Sequence, residues 1–319
     1  MAFAWRCRAC KGPPVPGNAR EKPWIGPCPH CGRYANADRV SVSEEDVFGA
    51  QIQPIKEGEV ISLADAIAQS ENDPSLQAIA TGSPGFDWVL GSGIPVGIGI
   101  TMASPPGAGK TTLLIETFRA LAKRRIKDLY ISTEETERQL GRRFSRLEGK
   151  TPPQLRILCT QDIDEIEQAI LNERPKIAAV DSIHKISGVT DDNGFAYSTG
   201  SHTGMTLAAN RLRKLASELD MTIFCVTHVD KSGNIAGANT VQHDLDLTLY
   251  LNGKQEMRDG RPVIIGAERT LRCDGKNRYS EPGRCAWFQM CADGLHDKGP
   301  WVSDRPPWFT ESKDEGANA

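Results

Sequence analysis

The stretch GIGITMASPPGAGKTTLLIETFRALAKRR, residues 97–125, constrains the fold more than any other part of the chain. An apolar run of strand character leads into a glycine-containing turn. A helical pattern follows at once, with Leu113, Thr117, Ala120 and Leu121 on one face. Strand, glycine loop and helix in that order is how proteins hold phosphate: backbone N–H groups converge on it at a helix N-terminus, a lysine adds charge, and a hydroxyl binds magnesium. Gly107, Ala108, Gly109, Lys110, Thr111 and Thr112 supply that part of the loop. Pro105 and Pro106 have no N–H to offer. Ser104 stands where the usual G-x-x-x-x-G-K-[ST] pattern opens with glycine. Because it precedes the donor-bearing part of the turn, the missing glycine freedom matters less there than at Gly107 or Gly109.

Further apolar runs recur at α/β spacing: DLYIST (128–133), KIAAVDS (176–182), MTIFCVTHV (221–229) and DLTLYL (246–251). Helical patterns separate them, as in AANRLRKLASELD, where Ala208, Leu212, Leu215 and Leu219 share a face. The alternation predicts an α/β core with a mostly parallel sheet covered on both sides. Ligands bind such sheets at the C-terminal strand ends. Asp181 ends one strand and is the candidate magnesium acid. Glu134 and Glu135 follow another strand end and are candidates to position the attacking water, or are helix-start acids favoured by the dipole. His228 ends a third strand, where it reads equally as a phosphate contact and as a core histidine. Beyond residue 267 the pattern turns to strand-like pieces, AERTLRC and RCAWFQM.

With 319 residues the chain can bury a sizeable core, and its formal net charge of -3 gives no global bias toward nucleic acid. Any basic site is therefore local. Candidates lie at 122–127, 138–146, 211–214 and 269–278, each of which also reads as a solvated face. Loops at 187–203 and 230–241 follow strand ends and are rich in small polar residues, a composition that suits tracking a nucleic-acid backbone. No run of 18 apolar residues and no signal core are present, which predicts a cytoplasmic protein without a membrane partner. Of nine cysteines, Cys7, Cys10, Cys28 and Cys31 form two C-x-x-C pairs, the pattern of a closed four-thiolate zinc site. The expected organisation is a zinc module at 1–40, a linker at 41–75, a phosphate-binding core at 76–296 and a disordered tail at 297–319.

Taken together, these pieces resemble the bacterial RadA (Sms) family of RecA-like ATPases with an N-terminal zinc finger. WIGPCPHCG is similar to the second half of that finger, and TGSPGFDWVLGSGIPVG to the segment before the nucleotide loop. YISTEET, AAVDSI, THVDKSGNIAG and QHDLDLTLYL resemble successive stretches of its core, and GKNRYS resembles its K-N-R-F-G signature. The resemblance implies ATP, Mg2+ and Zn2+ as cofactors, with a hexameric ring on single-stranded or branched DNA. It further implies branch migration or a helicase-like role in recombination and repair, alongside a recombinase or replication partner. It gives Lys110 and Thr111 the phosphate and magnesium, makes Glu134 the catalytic acid and Asp181 the second-strand acid, and has His228 couple phosphate state to the adjacent DNA loop. Lys276 and Arg278 become the basic pair of the signature, acting at the nucleotide or subunit boundary. The signature here reads Tyr279-Ser280, and the chain stops where the family continues into a Lon-like domain. A second reading is an ATP-switched interaction protein that recruits a partner through its finger and tail without moving along DNA.

Overall fold

The computed structural model describes residues 2–9, 15–16, 37–42, 61–72, 77–145, 147, 152, 154–191, 193–228, 244–258, 261–277, 279, 281 and 283–301. The chain divides into two compact units, residues 1–72 with 190–196, and residues 73–189 with 197–319. In the first, β1 (Ala2–Cys7) lies between β2 (Val15–Pro16) and β3 (Ala37–Val42) in an antiparallel sheet. The register runs from Ala2 opposite Val42 to Cys7 opposite Ala37. Cys7 is buried at the end of β1, whereas Cys10, Cys28 and Cys31 lie outside the described residues. Two elements fall within the expected linker at 41–75. β3 continues through Val42, and Leu63–Asn72 forms helix α1, started by Ser62, whose Oγ accepts from the Asp65 N–H at 3.0 Å.

The second unit is built on a sheet whose described strands run in the order β12-β11-β10-β9-β4-β8-β7-β5-β6. β4 (Gly99–Ser104), β5 (Asp128–Ser132), β6 (Leu155–Cys159), β7 (Ile177–Asp181), β8 (Thr222–His228) and β9 (Leu247–Arg258) make a parallel block. β10 (Arg261–Asn277), β11 (Cys285–Cys291) and β12 (Gly294–Trp301) extend it as an antiparallel meander. The helices are α2 (Pro84–Leu90), α3 (Lys110–Lys123), α4 (Glu137–Phe144), α5 (Ile163–Glu173) and α6 (His202–Glu218).

The continuous apolar runs are explained by two cores, one on each face of the sheet. Successive strand residues point to opposite faces. Along β8, Phe224 and Val226 enter the core that holds Phe86, Leu114 and Phe118, while Ile223 and Cys225 enter the core under α5 and α6. Tyr130 faces the first and its neighbours Leu129 and Ile131 the second; Ala179 and Val180 divide likewise. Each side chain of this size contributes roughly 1.5–3 kcal/mol on burial, so a one-residue slip would exchange both cores. α6 buries Ala208 and Leu212 as its pattern predicts, with Leu215 and Leu219 packed partly against them.

Two strands are additions to the sequence reading. β6, LRILC, is a short, half-exposed edge strand. β12, whose last five residues fall in the expected tail, is GLHDKGPW; its pairing with β11 organises it, since its own residues are mostly glycine and polar. Residues 297–301 are therefore strand, and 302–319 lie outside the described residues. Asp297 has a defined task. Its Oδ2 accepts from Ser83 Oγ at 2.6 Å and from the Gly85 N–H at 2.7 Å, closing the start of α2, where Ser83 is the cap.

Asp128, at the start of β5, is 2% exposed, and neither carboxylate oxygen makes a hydrogen bond of normal geometry. Burial pushes its pKa up to about 7, against a weaker pull from the Arg156 backbone. The folded carboxyl keeps its proton to about pH 7 while the unfolded one releases it near 3.8, so its penalty on stability grows as pH rises between those values. Asp128→Asn is expected to flatten this decline and to raise stability at pH 8 by at least about 1.4 kcal/mol, one pKa unit's worth, as read from urea midpoints at pH 5 and pH 8.

Candidate functional site

The phosphate-loop residues fold as their composition demands. Ser104 is the last residue of β4, extended and fully buried, with its Oγ donating to the Pro105 carbonyl at 2.9 Å. An extended position needs no glycine, which explains the departure from the usual pattern. The left-handed turns come later, at Gly107 (φ 77°) and Gly109 (φ 102°). At Gly109 the Met290 methyl lies where a Cβ would be, so a side chain there would also have to displace it. α3 begins at Lys110, and the N–H groups of its first turn have no acceptor within the helix. They open onto a cleft of about 570 Å³, lined by residues 104–112 together with Tyr130, Ser132, Glu134, Asp181, His228 and the 290–294 hairpin.

Four neighbouring strands end at this cleft. Their registers set Ser104 beside His228 and Ser132 beside Asp181. Asp181 Oδ2 accepts from Thr111 Oγ1 and from the Tyr130 hydroxyl, each at 2.7 Å. Burial, then the Asp181 charge, raises the Tyr130 pKa well above its ordinary value, so it remains a donor. Thr111 and Asp181 thus bring a hydroxyl and a carboxylate to one point beside the loop, an all-oxygen pair that fits Mg2+.

Lys110 Nζ lies 3.1 Å from His228 Nδ1. Burial lowers the lysine's pKa, which the Asp181 and Glu134 charges partly restore. An ammonium donates only, so Nδ1 of His228 accepts and its proton sits on Nε2, 3.6 Å from Glu134 Oε1. Burial and the Lys110 charge hold the His228 pKa below 6.5, so the ring is neutral at pH 7. Glu134 also accepts from Ser182 Oγ at 2.7 Å. Burial alone would raise its pKa, but the Ser182 bond, the hydrogen bonding of His228 and the Lys185 charge outweigh it and keep the carboxylate ionised. Glu134 and Glu135 both precede α4, whose cap is Thr136. Glu135 pairs with Arg143.

Three residues here carry no motif. Tyr130 reads in sequence as an ordinary core aromatic. Arg269, from β10, is 5% exposed and donates through Nε to the Ala108 carbonyl at 3.0 Å and through Nη1 to the Gly266 and Glu268 carbonyls, so the antiparallel extension grips the phosphate loop directly. His184 stacks on His228 with centroids 5.6 Å apart, and its Nε2 accepts the His228 backbone N–H at 3.1 Å and lies 2.7 Å from Thr227 Oγ1. Among the other candidates, Lys276 lies within β10 without a described side chain, and Arg278 and the 230–241 loop lie outside the described residues. In the 211–214 cluster, Arg211 is engaged with Glu167 and Asp164, both at 2.7 Å.

Residues 72–234 match the AAA domain family, half of the chain. The chain belongs to that family. It is also similar to the DNA repair protein RadA of Campylobacter jejuni (30% identical over 294 residues, 91% of this chain and 59% of the relative). The RadA proteins of Escherichia coli (30% over 295 residues, 92% and 59%) and Haemophilus influenzae (32% over 282 residues, 86% and 56%) match in the same way. The RadA resemblance carried by the motifs is therefore borne out, and the chain spans about three-fifths of the length of these relatives. Among solved structures, the KaiC-like protein PH0186 of Pyrococcus horikoshii aligns with 99% of its own chain and 70% of this one (TM-score 0.54, 15% identity), which supports the RecA-like fold of this AAA domain. No helix among the described residues is long and apolar enough to cross a membrane.

The His184 geometry makes a measurable demand. Its Nε2 carries no proton, so the ring is the neutral Nδ1–H tautomer, and burial with the His228 charge lowers its pKa to about 4. The unfolded ring protonates near 6.5, so stability falls as pH drops from 6.5 toward 4. Nitrogen-resolved NMR is expected to find this tautomer unprotonated at pH 5.5; a titration near 6.5 would refute the arrangement.

Proposed function

We propose that this AAA domain hydrolyses ATP and that DNA governs the reaction, in an oligomeric motor of recombination and repair. The observation that carries the reading is the meeting of Lys110, Thr111, Asp181, Glu134 and His228 in one cleft at the N-terminus of α3. The loop N–H groups and the helix dipole bind the phosphates. Lys110 has three N–H donors, so it can contact the terminal phosphate while still holding His228. Thr111 and Asp181 hold magnesium, which when bound offsets charge on the phosphate oxygens. Glu134, kept ionised, orients a water and takes its proton. His228 links the lysine at the phosphate to that base and ends the strand before the 230–241 loop, a placement suited to reporting phosphate state to DNA.

DNA repair enters from the RadA relatives. We extend it to a hexameric ring on single-stranded or branched DNA, in which Lys276 and Arg278 act across the subunit boundary. A basic residue closing on a neighbour's terminal phosphate accelerates transfer by about a thousandfold or more. Cys7, Cys10, Cys28 and Cys31 bind Zn2+ in a structural module on this reading, and the interior position of Cys7 suits a closed site.

The test is steady-state ATP hydrolysis with and without single-stranded, duplex and forked DNA, paired with particle mass. DNA is expected to raise the rate, and Lys110→Ala to abolish nucleotide binding with the fold retained. Turnover indifferent to saturating DNA at low salt would overturn the motor reading and leave an ATP-switched interaction protein. Normal ATP affinity in Lys110→Ala would overturn both.

A further inference from the structure

The tip of the β11–β12 hairpin carries a cluster that nucleotide chemistry does not use. Cys291, Asp293 and His296 offer a sulfur, a carboxylate oxygen and an imidazole nitrogen that all lie within 4.8 Å of one another. The register explains the convergence. Cys291 is opposite Gly294 and Gln289 is opposite His296, so Cys291 and His296 stand on the same face, two residues apart across the pair. Asp293 occupies the turn and reaches back, its Oδ1 2.9 Å from His296 Nε2. Gly294 has no side chain to fill the position beside Cys291; the Glu116 carboxylate occupies it, held by the Leu295 N–H at 3.0 Å.

We propose that this hairpin is a transition-metal site, separate from the N-terminal cysteines, that takes Zn2+ or a similar borderline-soft divalent ion. One sulfur, one nitrogen and one oxygen donor suit such an ion and not Mg2+ or Ca2+, which take oxygen ligands. Tetrahedral coordination needs these atoms closer than 4.8 Å, a shift within reach of rotamer changes in three accessible side chains. The proton balance is simple. Binding expels the thiol proton to solvent and moves the imidazole proton to Nδ1, so Nε2 becomes a ligand. Thiolate and carboxylate together then neutralise the ion's two charges. The fourth position stays open to water, as in sites with three protein ligands.

Placement gives the site a consequence. Cys291 lines the nucleotide cleft with Met290 and Ala292, while Asp293 and His296 line the hollow behind it with Glu116, Arg119 and Lys123. Glu116 shares that hollow with Arg119 and His296, and the Leu295 N–H holds its carboxylate there. An ion joining Cys291 to His296 would stiffen the tip that holds Met290 over Gly109.

The inference does not rest on ATP hydrolysis and is tested without it. Full-length chain is titrated with Co2+ and followed by thiolate-to-metal charge transfer and by bound-metal content. Wild type is expected to take one equivalent more than Cys291→Ser, with a difference spectrum of a single thiolate, and His296→Ala should weaken that equivalent by at least about tenfold. The Cys7→Ser/Cys10→Ser chain is expected to keep it. Equal uptake and superposable spectra for wild type and Cys291→Ser would overturn the proposal, as would loss of the equivalent in the Cys7/Cys10 variant.

Discussion

The parallel strands of the large unit bury side chains on both faces, and the rest of the molecule follows from that constraint. With Phe224 and Val226 committed to one core and Ile223 and Cys225 to the other, the strands have no freedom to slip or turn over. Polar groups cannot be carried in their interiors without cost. They gather at the strand ends, and because the strands are parallel those ends share one edge. Ser104, His228, Asp181 and Ser132 form that edge, with the glycine loop folded across it.

At the edge, half-buried charges are held by matched donors and acceptors. Asp181 takes hydrogen bonds from Thr111 and Tyr130, and Glu134 takes one from Ser182. His228 stands between a cation and an anion and is fixed from behind by His184. A network of this kind specifies geometry strongly, because each unpaired member would cost more than its bond contributes. It also sets protonation: burial and the lysine's charge hold His228 neutral, and hydrogen bonds from Ser182 and His228 help hold Glu134 ionised.

The antiparallel extension contributes in a way its composition does not advertise. Arg269 reaches from β10 to the Ala108 carbonyl, Met290 from β11 lies over Gly109, and Asp297 from β12 closes the start of α2. The Arg269 contact ties the nucleotide loop to β10, the strand whose far end bears Lys276.

The sequence by itself determined the fold class and the core of the site. Apolar runs at α/β spacing imply a sheet buried on both faces, and Gly107, Gly109, Lys110 and Thr111 imply phosphate because few other loops need left-handed turns and a lysine at a helix start. It also placed Asp181, Glu134 and His228 at strand ends, since that is local information. Only the tertiary structure decided which strand ends meet and how. Tyr130 reads as core until β7 is set beside β5, His184 carries no motif, and Arg269 reads only as the first residue of a basic cluster, because the His228 and Ala108 groups they hold are 44 and 161 residues away. β12 is a strand because β11 pairs with it, which no property of GLHDKGPW foretells. Local patterns record what a residue must be buried against; they do not record which distant residue will complete its hydrogen bonds.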